Sequence, residues 1–387
     1  MVRKIIRKIH LWLGLTTGII VLWLGFTGCI LVFQKEIESI TWKSFAKVEK
    51  QNKEMLPPSV MKEIALAALP DKHLHGVAYG KANDAVQAIF YATEPEHYFI
   101  VFINPYSGEV LKVKNMYRDF FRIVIDGHYY LWLPPHIGQP IVSTATLIFV
   151  VMMITGIILW WPRNKAARKQ RFRIKFGVRW RRMNYDLHQV LGFYMSWVAI
   201  FIALTGLVFG FQWFARAVYW TTSGGKSLVP YHETVTPKPP MASHADTPAT
   251  DRIWHRMRAE YPHAEMIEVH FPENDSTALE AAINPDRATY WKTDYRWFNQ
   301  HTLEEVPVTH LYGRLSQASV ADKLARMNYD IHVGAIGGLP TKILAFFASM
   351  IAASLPVTGF LIWRGRKKKK TGERTAKEEK MVLEVLH

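Results

Sequence analysis

The 387-residue sequence contains a single cysteine, Cys29. One thiol excludes a disulfide framework, a cysteine-based zinc site and an iron–sulfur cluster, and the sequence has no Cys-x-x-Cys-His segment that could attach a c-type haem. It also has no Gly-x-Gly-x-x-Gly fingerprint for a nicotinamide or flavin. Redox chemistry in this chain would therefore depend on histidine and a cofactor held without thiolates.

Charged residues are missing from four long apolar runs, which span residues 11–33, 141–161, 190–213 and 343–363. Each run has about 20 residues, enough to cross a hydrocarbon core of ~30 Å as a helix. The sequence therefore predicts four transmembrane helices. Because no carboxylate lies inside these runs, a divalent-metal transporter ranks last among the functions considered.

The net charge of +16 lies beside the apolar runs, in the N-terminal residues, in a link at 163–182 that holds ten Lys or Arg, and in the tail after Trp363. The positive-inside rule predicts that these basic segments, and both termini, are cytoplasmic. The two long, nearly neutral segments would then face outward. The charge indicates orientation in a lipid bilayer and gives no support for a nucleic-acid partner.

These boundaries divide the chain into eight segments. They are a first membrane helix (1–33), an external unit (34–140), a second helix (141–162), a basic cytoplasmic link (163–187), a third helix (188–213), a second external unit (214–340), a fourth helix (341–363) and a basic tail (364–387). The arrangement of helix, external unit and helix occurs twice.

Histidine and Thr-Gly positions repeat with this arrangement and predict an internal tandem duplication. The histidine-to-threonine spacing is 17 residues in two cases and 26 or 27 in the other two: His10 to Thr27, His188 to Thr205, His332 to Thr358 and His128 to Thr155. Small residues inside membrane helices usually serve helix packing, so the Thr-Gly pairs are interpreted as packing positions.

Each external unit has the pattern of a small α+β domain. The predicted helices are 57–69 and 249–261, and the predicted strands are 85–93, 97–103, 267–271, 278–283 and 289–299. A proline-containing linker is expected at 230–248. A turn is expected at Asn104-Pro105-Tyr106-Ser107-Gly108-Glu109-Val110, between two strands of the first unit.

With that turn, the duplicated plan and the placed histidines, residues 5–365 resemble the PepSY-associated transmembrane proteins, and the external units resemble PepSY domains. The second unit departs from the turn motif with Asn299-Gln300-His301-Thr302-Leu303-Glu304. The resemblance implies a four-helix transmembrane bundle with two periplasmic α+β units in a bacterial inner membrane. The family includes iron-regulated proteins and a ferric-siderophore reductase with two b-type haem groups.

Four histidines occupy equivalent positions near membrane helices, with His10 and His188 expected at the cytoplasmic face and His128 and His332 at the outer face. Paired imidazoles on facing helices are typical axial ligands of haem b. We therefore expect these four residues to bind two haem groups through iron. His136 is a rival for His128, and a single interfacial histidine more often snorkels or caps a helix.

The expected function is a membrane di-haem b oxidoreductase. The resemblance supplies its substrate, a ferric siderophore reduced from Fe³⁺ to Fe²⁺ outside the membrane, and the electron donor is a quinol or a cytoplasmic reductase. The alternative is a non-enzymatic membrane protein whose external units bind a partner or regulate a protease. Two carboxylates that precede proposed ligands, Asp186 and Asp330, either orient the imidazoles or cap helices.

Overall fold

The computed structural model describes residues 1–162, 164, 165, 168, 171–236 and 246–385, with side chains up to residue 366. Parts of the predicted basic link, of the proline-containing linker and of the C-terminal tail lie outside the described residues. The chain divides into two compact units. We call them the bundle unit (Met1–Val32, Ile125–Phe211 and His332–His387) and the sheet domain (Phe33–Val124 and Gln212–Ile331).

The described elements alternate between the two units along the chain. The helices are α1 (Val2–Val32), α2 (Gln34–Thr41), α3 (Lys43–Ala46), α4 (Pro58–Ala68), α5 (Phe120–Tyr130), α6 (Pro135–Trp160), α7 (Trp180–Gly210), α8 (Gln212–Thr222), α9 (Ala249–Glu260), α10 (Val320–His332) and α11 (Leu339–Val385). The strands are β1 (Leu74–Tyr79), β2 (Val86–Thr93), β3 (Glu96–Ile103), β4 (Val110–Asn115), β5 (Met266–His270), β6 (Leu279–Asn284) and β7 (Asp294–Phe298).

Four helices of the bundle unit are long and apolar enough to cross a membrane: α1, α6, α7 and the Leu339–Arg366 part of α11. Most residues in their apolar windows are not buried by protein, which suits contact with lipid. Helix α1 packs very closely on α11 at Gly25. A Cβ atom at this position would lie only 2.7 Å from the backbone oxygen of Ser349. Small residues at such crossings allow close approach of backbones.

The helices extend beyond the predicted membrane segments. Helix α1 begins at Val2 and α7 at Trp180, so His10 and His188 lie inside helices instead of at their starts. His128 and His332 lie at the ends of α5 and α10, and precede the membrane helices α6 and α11. Hydropathy marks only the part of a helix that crosses the lipid. Lys and Arg are good helix formers, so the helix extends past its apolar part.

The sheet domain contains one antiparallel sheet with the strand order β4-β3-β2-β1-β5-β6-β7. Two external units were expected, and in the structure strands from both segments join in this sheet, since β1 and β5 pair directly, with Val77 opposite Val269. Each of these strands would otherwise present an open edge, and pairing satisfies both edges. Helices α4 and α9 contribute Met61, Trp254 and Met257 to the core that covers one face of this sheet.

Most predicted elements of the sheet domain are present, including α4, α9, β2, β3, β5 and β6. Strand β1 and helix α10 were not predicted. The segment 289–299 was predicted as one strand, but only Asp294–Phe298 is a strand. The preceding backbone turns away because the amide N–H groups of Tyr290 and Trp291 donate to the carboxylate of Asp330 at 2.8–3.1 Å.

The two turns that follow β3 and β7 have the same geometry although their sequences differ. Asn104 Oδ1 accepts the amide of Tyr106 at 2.9 Å, and Asn299 Oδ1 accepts the amide of His301 at 2.8 Å. Gly108 has a φ of 75°, and Leu303 occupies the corresponding position with a φ of 59°. The side-chain hydrogen bond of asparagine therefore preserves the turn even where glycine is replaced by leucine.

Candidate histidine pairs in the bundle unit

His128 and His332 face one another at the end of the bundle unit where the chain enters the sheet domain. Their ring centroids are 6.3 Å apart and their planes are inclined by 68°. Both residues lie at the C-terminal end of a short helix that precedes a membrane helix. This contact is therefore formed between one residue from the first half of the chain and one from the second half.

Each ring of this pair is held by a threonine from a membrane helix. Nδ1 of His128 lies 2.7 Å from Oγ1 of Thr27 on α1, and Nδ1 of His332 lies 3.0 Å from Oγ1 of Thr205 on α7. His332 Nδ1 also lies 3.0 Å from the backbone oxygen of Ile202. These contacts involve the same nitrogen in both rings, so Nε2 makes none of them.

The other two histidines repeat the arrangement toward the opposite end of the membrane helices. Nδ1 of His10 lies 2.9 Å from Oγ1 of Thr155 on α6, and Nδ1 of His188 lies 2.8 Å from Oγ1 of Thr358 on α11. The four expected residues can therefore be grouped into two candidate pairs with the same threonine contacts, and each candidate pair combines one histidine from each half of the chain.

Within each half, the histidines and threonines exchange partners. His10 of α1 contacts Thr155 of α6, while Thr27 of α1 contacts His128, which precedes α6. His10 and Thr27 are 17 residues apart, which corresponds to about 25 Å along a helix. The two histidine pairs are therefore separated by a distance comparable with the thickness of a hydrocarbon core, ~30 Å.

A glycine follows each of these threonines and lies against the imidazole. A Cβ atom at Gly206 or Gly359 would lie 3.3 Å from Cε1 of His332 or His188, and a Cβ atom at Gly156 would lie 3.4 Å from Cε1 of His10. At Gly28 the corresponding distance to His128 is 3.8 Å. The Thr-Gly pairs were interpreted as packing positions, but each of them contacts a histidine.

Among the described residues, the carboxylates of Asp186 and Asp330 make no hydrogen bond to an imidazole. Asp330 accepts the amides of Tyr290 and Trp291, and Asp186 pairs with Arg182 at 3.0 Å. Of the two roles considered for these carboxylates, orienting an imidazole or capping a helix, the described contacts therefore do not support the first. Both carboxylates are almost fully buried. A buried charge needs a partner on the protein, so these contacts stabilise the local fold around each carboxylate.

His136, the rival ligand, is exposed near the start of α6. The nearby aromatic residues are held by the protein: Tyr129 donates to the backbone oxygen of Phe209 at 3.0 Å, and the Trp132 ring lies 5.0 Å from that of Trp23. Trp132 is nevertheless 57% exposed. Its position fits either an aromatic belt at the membrane surface or a contact for an external molecule.

The distance between the rings of His128 and His332 has the size expected for two imidazoles on a single metal ion. A metal–imidazole bond is ~2 Å long, so two imidazoles on opposite sides of one ion have ring centres ~6 Å apart. The observed 6.3 Å agrees with this value. In the part of the chain that the structure describes, no group of three or more metal-ligating side chains occurs, and histidine pairs suit a haem iron, whose remaining ligands come from the macrocycle.

Four apolar helices and an antiparallel sheet domain define the class: a helical membrane protein that carries a β-rich domain between its spans. The family model described as "PepSY-associated TM region" matches residues 7–366. The chain therefore belongs to the PepSY-associated transmembrane family. A comparison with curated proteins finds no match.

The sequence did not indicate that the four threonines contact the histidines. Their contacts join different helices, so no periodicity within one helix reveals them. The signal was the matching histidine-to-threonine spacing in the two halves of the chain, which we used only to recognise the repeat. The two spacings within each half differ because His128 and His332 lie on short helices that precede α6 and α11.

Proposed function

We propose that this protein is a membrane oxidoreductase that binds two haem b groups and passes electrons outward to a ferric siderophore. The observation that carries the proposal is the facing of His128 and His332, at 6.3 Å, with Nδ1 of each ring occupied by a threonine. This leaves Nε2 of both imidazoles available as an axial ligand. His10 and His188 would bind the second group in the same way.

When bound, the haem groups would supply one-electron carriers, and His128 with His332 and His10 with His188 would hold them. The chain's own residues orient the four imidazoles, and glycines leave room at the ring edges. The apolar helices exclude water from the path between the two pairs.

The proposed orientation places the protein in a bacterial inner membrane with both termini in the cytoplasm. The basic N-terminal residues and the basic residues that follow the second and fourth membrane helices support this orientation. The sheet domain would then be periplasmic. The repeated His–Thr exchange and the two equivalent asparagine turns support an internal tandem duplication.

A ferric siderophore fits the proposed chemistry because its hard oxygen ligands prefer Fe³⁺ to Fe²⁺, so reduction weakens the chelate and releases iron. The substrate class rests on the family resemblance. The sequence carries no dinucleotide fingerprint, so the electrons must come from a quinol or a separate cytoplasmic reductase.

A vesicle experiment tests the proposal. The full-length protein is reconstituted with a reductant trapped inside and a ferric trihydroxamate chelate outside, together with a chelator that reports Fe²⁺. We expect Fe²⁺ to form only in vesicles that contain the protein, and formation to stop in His128→Ala and His188→Ala. A haem-free protein that still binds a periplasmic partner would support the non-enzymatic alternative instead.

A further inference from the structure

We propose that the hydroxyl groups of Thr27, Thr155, Thr205 and Thr358 are positioning groups that hold each histidine with its proton on Nδ1 and thereby tune the iron that each pair binds. The first part concerns only atoms of this chain. The second part rests on the proposed function, because it needs a bound iron. Nothing in the family match assigns a role to these threonines.

The direction of each contact follows from the single proton of a threonine hydroxyl. Oγ1 of Thr27 lies 2.8 Å from the backbone oxygen of Trp23, and Oγ1 of Thr358 lies 3.1 Å from that of Ser354. A carbonyl oxygen only accepts, so the hydroxyl proton is directed there. With its proton directed to the carbonyl, the hydroxyl oxygen accepts a hydrogen bond from Nδ1–H of its histidine.

The remaining two threonines lead to the same conclusion. Oγ1 of Thr155 lies 3.0 Å from the backbone oxygen of Met152, and Oγ1 of Thr205 lies 2.9 Å from that of Phe201. At His332 a second, independent contact exists, because Nδ1 also lies 3.0 Å from the carbonyl oxygen of Ile202. Nδ1 of His332 lies between a carbonyl oxygen and a hydroxyl whose proton is directed elsewhere, so this nitrogen can only donate.

A neutral imidazole with a proton on Nδ1 has its lone pair on Nε2, the atom that binds metal. An acceptor on Nδ1–H also raises the basicity of the ligand and fixes the ring orientation. Greater basicity favours the ferric over the ferrous ion. The threonine hydroxyls therefore lower the reduction potential of the iron in each pair.

Thr27→Val removes the hydroxyl with little change of shape, and Thr27→Ser retains it. Thr16→Val is the matched control, because Thr16 lies on the same helix and, among the described residues, its hydroxyl is hydrogen-bonded only to the backbone oxygens of Trp12 and Leu13. The midpoint potentials of both groups are measured in each full-length variant by spectroelectrochemistry. A tenfold change in the ferric-to-ferrous preference corresponds to about 59 mV for one electron.

We expect Thr27→Val to raise one of the two midpoint potentials, with Thr27→Ser and Thr16→Val close to wild type. Loss of one group in Thr27→Val, restored in Thr27→Ser, would also support the proposal. Unchanged potentials in Thr27→Val, with both groups retained, would overturn it while leaving the proposed function intact. Equal damage in Thr27→Ser and Thr27→Val would overturn it as well.

A second measurement does not depend on bound haem. In haem-free full-length protein labelled with ¹⁵N-histidine, the nitrogen shifts report which ring atom carries the proton. We expect the Nδ1–H form at the four paired histidines, and a mixture of forms at His128 in Thr27→Val. The Nε2–H form in wild type would overturn the first part of the proposal, whatever the protein's activity.

Discussion

His128 and His332 come from different halves of the chain, yet their ring centroids lie 6.3 Å apart with Nδ1 of each ring against a threonine. His10 and His188 carry the same threonine contacts toward the other end of the membrane helices. If the proposed haem groups bind here, this arrangement leads to predictions about which side chains determine the binding of each group and which determine only the fold.

Removing one histidine should remove one haem group. His128→Ala should eliminate the group shared with His332, because a single imidazole leaves one axial position open, and should spare the group held by His10 and His188. His136→Ala is the control, since His136 is exposed. Haem per chain and the midpoint potentials of the purified variants provide the measurement. Loss of both groups from one substitution would contradict two independent sites.

Enlarging a glycine at an imidazole should displace the ring. Gly206→Val places methyl groups where a Cβ alone would already lie 3.3 Å from Cε1 of His332. We expect the affinity for the corresponding group to fall by ~10–100-fold, as for other losses of ligand orientation. In Gly365→Val, the matched control on a membrane helix, nothing lies within 4 Å of the new Cβ. Titration of haem into depleted protein distinguishes the two variants.

Asp330 should matter for the sheet domain and not for haem. In Asp330→Ala the amides of Tyr290 and Trp291 lose their acceptor, and each unsatisfied amide costs ~1–3 kcal/mol. We expect faster hydrogen–deuterium exchange around these two residues with haem content unchanged. Haem loss with unchanged exchange would instead assign the carboxylate to the neighbouring histidine.

The sheet domain should lose stability at alkaline pH through His270. Burial disfavours the charged ring, but Glu280 and Glu268 outweigh that effect and raise the pKa of His270 to about 10. The ring of His75 lies beside it at 4.4 Å, inclined by 54°. Because the folded pKa exceeds the unfolded value of about 6.5, this stabilisation is complete below pH 6.5 and disappears as the pH rises through 10.

Thermal unfolding of the full-length protein, followed by intrinsic fluorescence at pH 6, 8 and 10.5, measures this effect. We expect the difference in melting temperature between wild type and His270→Gln to be largest at pH 6 and to shrink toward pH 10.5. Other groups titrate over the same range, so the difference between the two proteins is the relevant quantity. A difference independent of pH would contradict the assigned ion pairs.

The sequence predicted the parts of this protein that depend on local pattern. Apolar runs identified the four membrane helices, and alternation identified β2 and β3. Pairing of β1 with β5 was not predictable in this way, since it joins strands from different halves of the chain. The asparagine turn was recognisable at Asn104, and at Asn299 the structure shows the same hydrogen bonds with Leu303 in place of glycine.

The candidate site was predictable to a similar extent. Histidine positions were identified because they recur near membrane helices, whereas their threonine partners lie on other helices and depend on how those helices pack. Asp186 and Asp330 were attractive partners because they precede a histidine by two residues, but their carboxylates contact Arg182 and backbone amides instead. Proximity in sequence does not bring two side chains to the same face of a helix.

The reduced-minus-oxidised absorption spectrum of the purified full-length protein, with haem quantified per chain, tests the central claim most directly. Two pairs of histidines predict a b-type spectrum with two haem groups per chain after expression with ample haem. A colourless protein under those conditions would contradict the assignment of His10, His188, His128 and His332 as haem ligands.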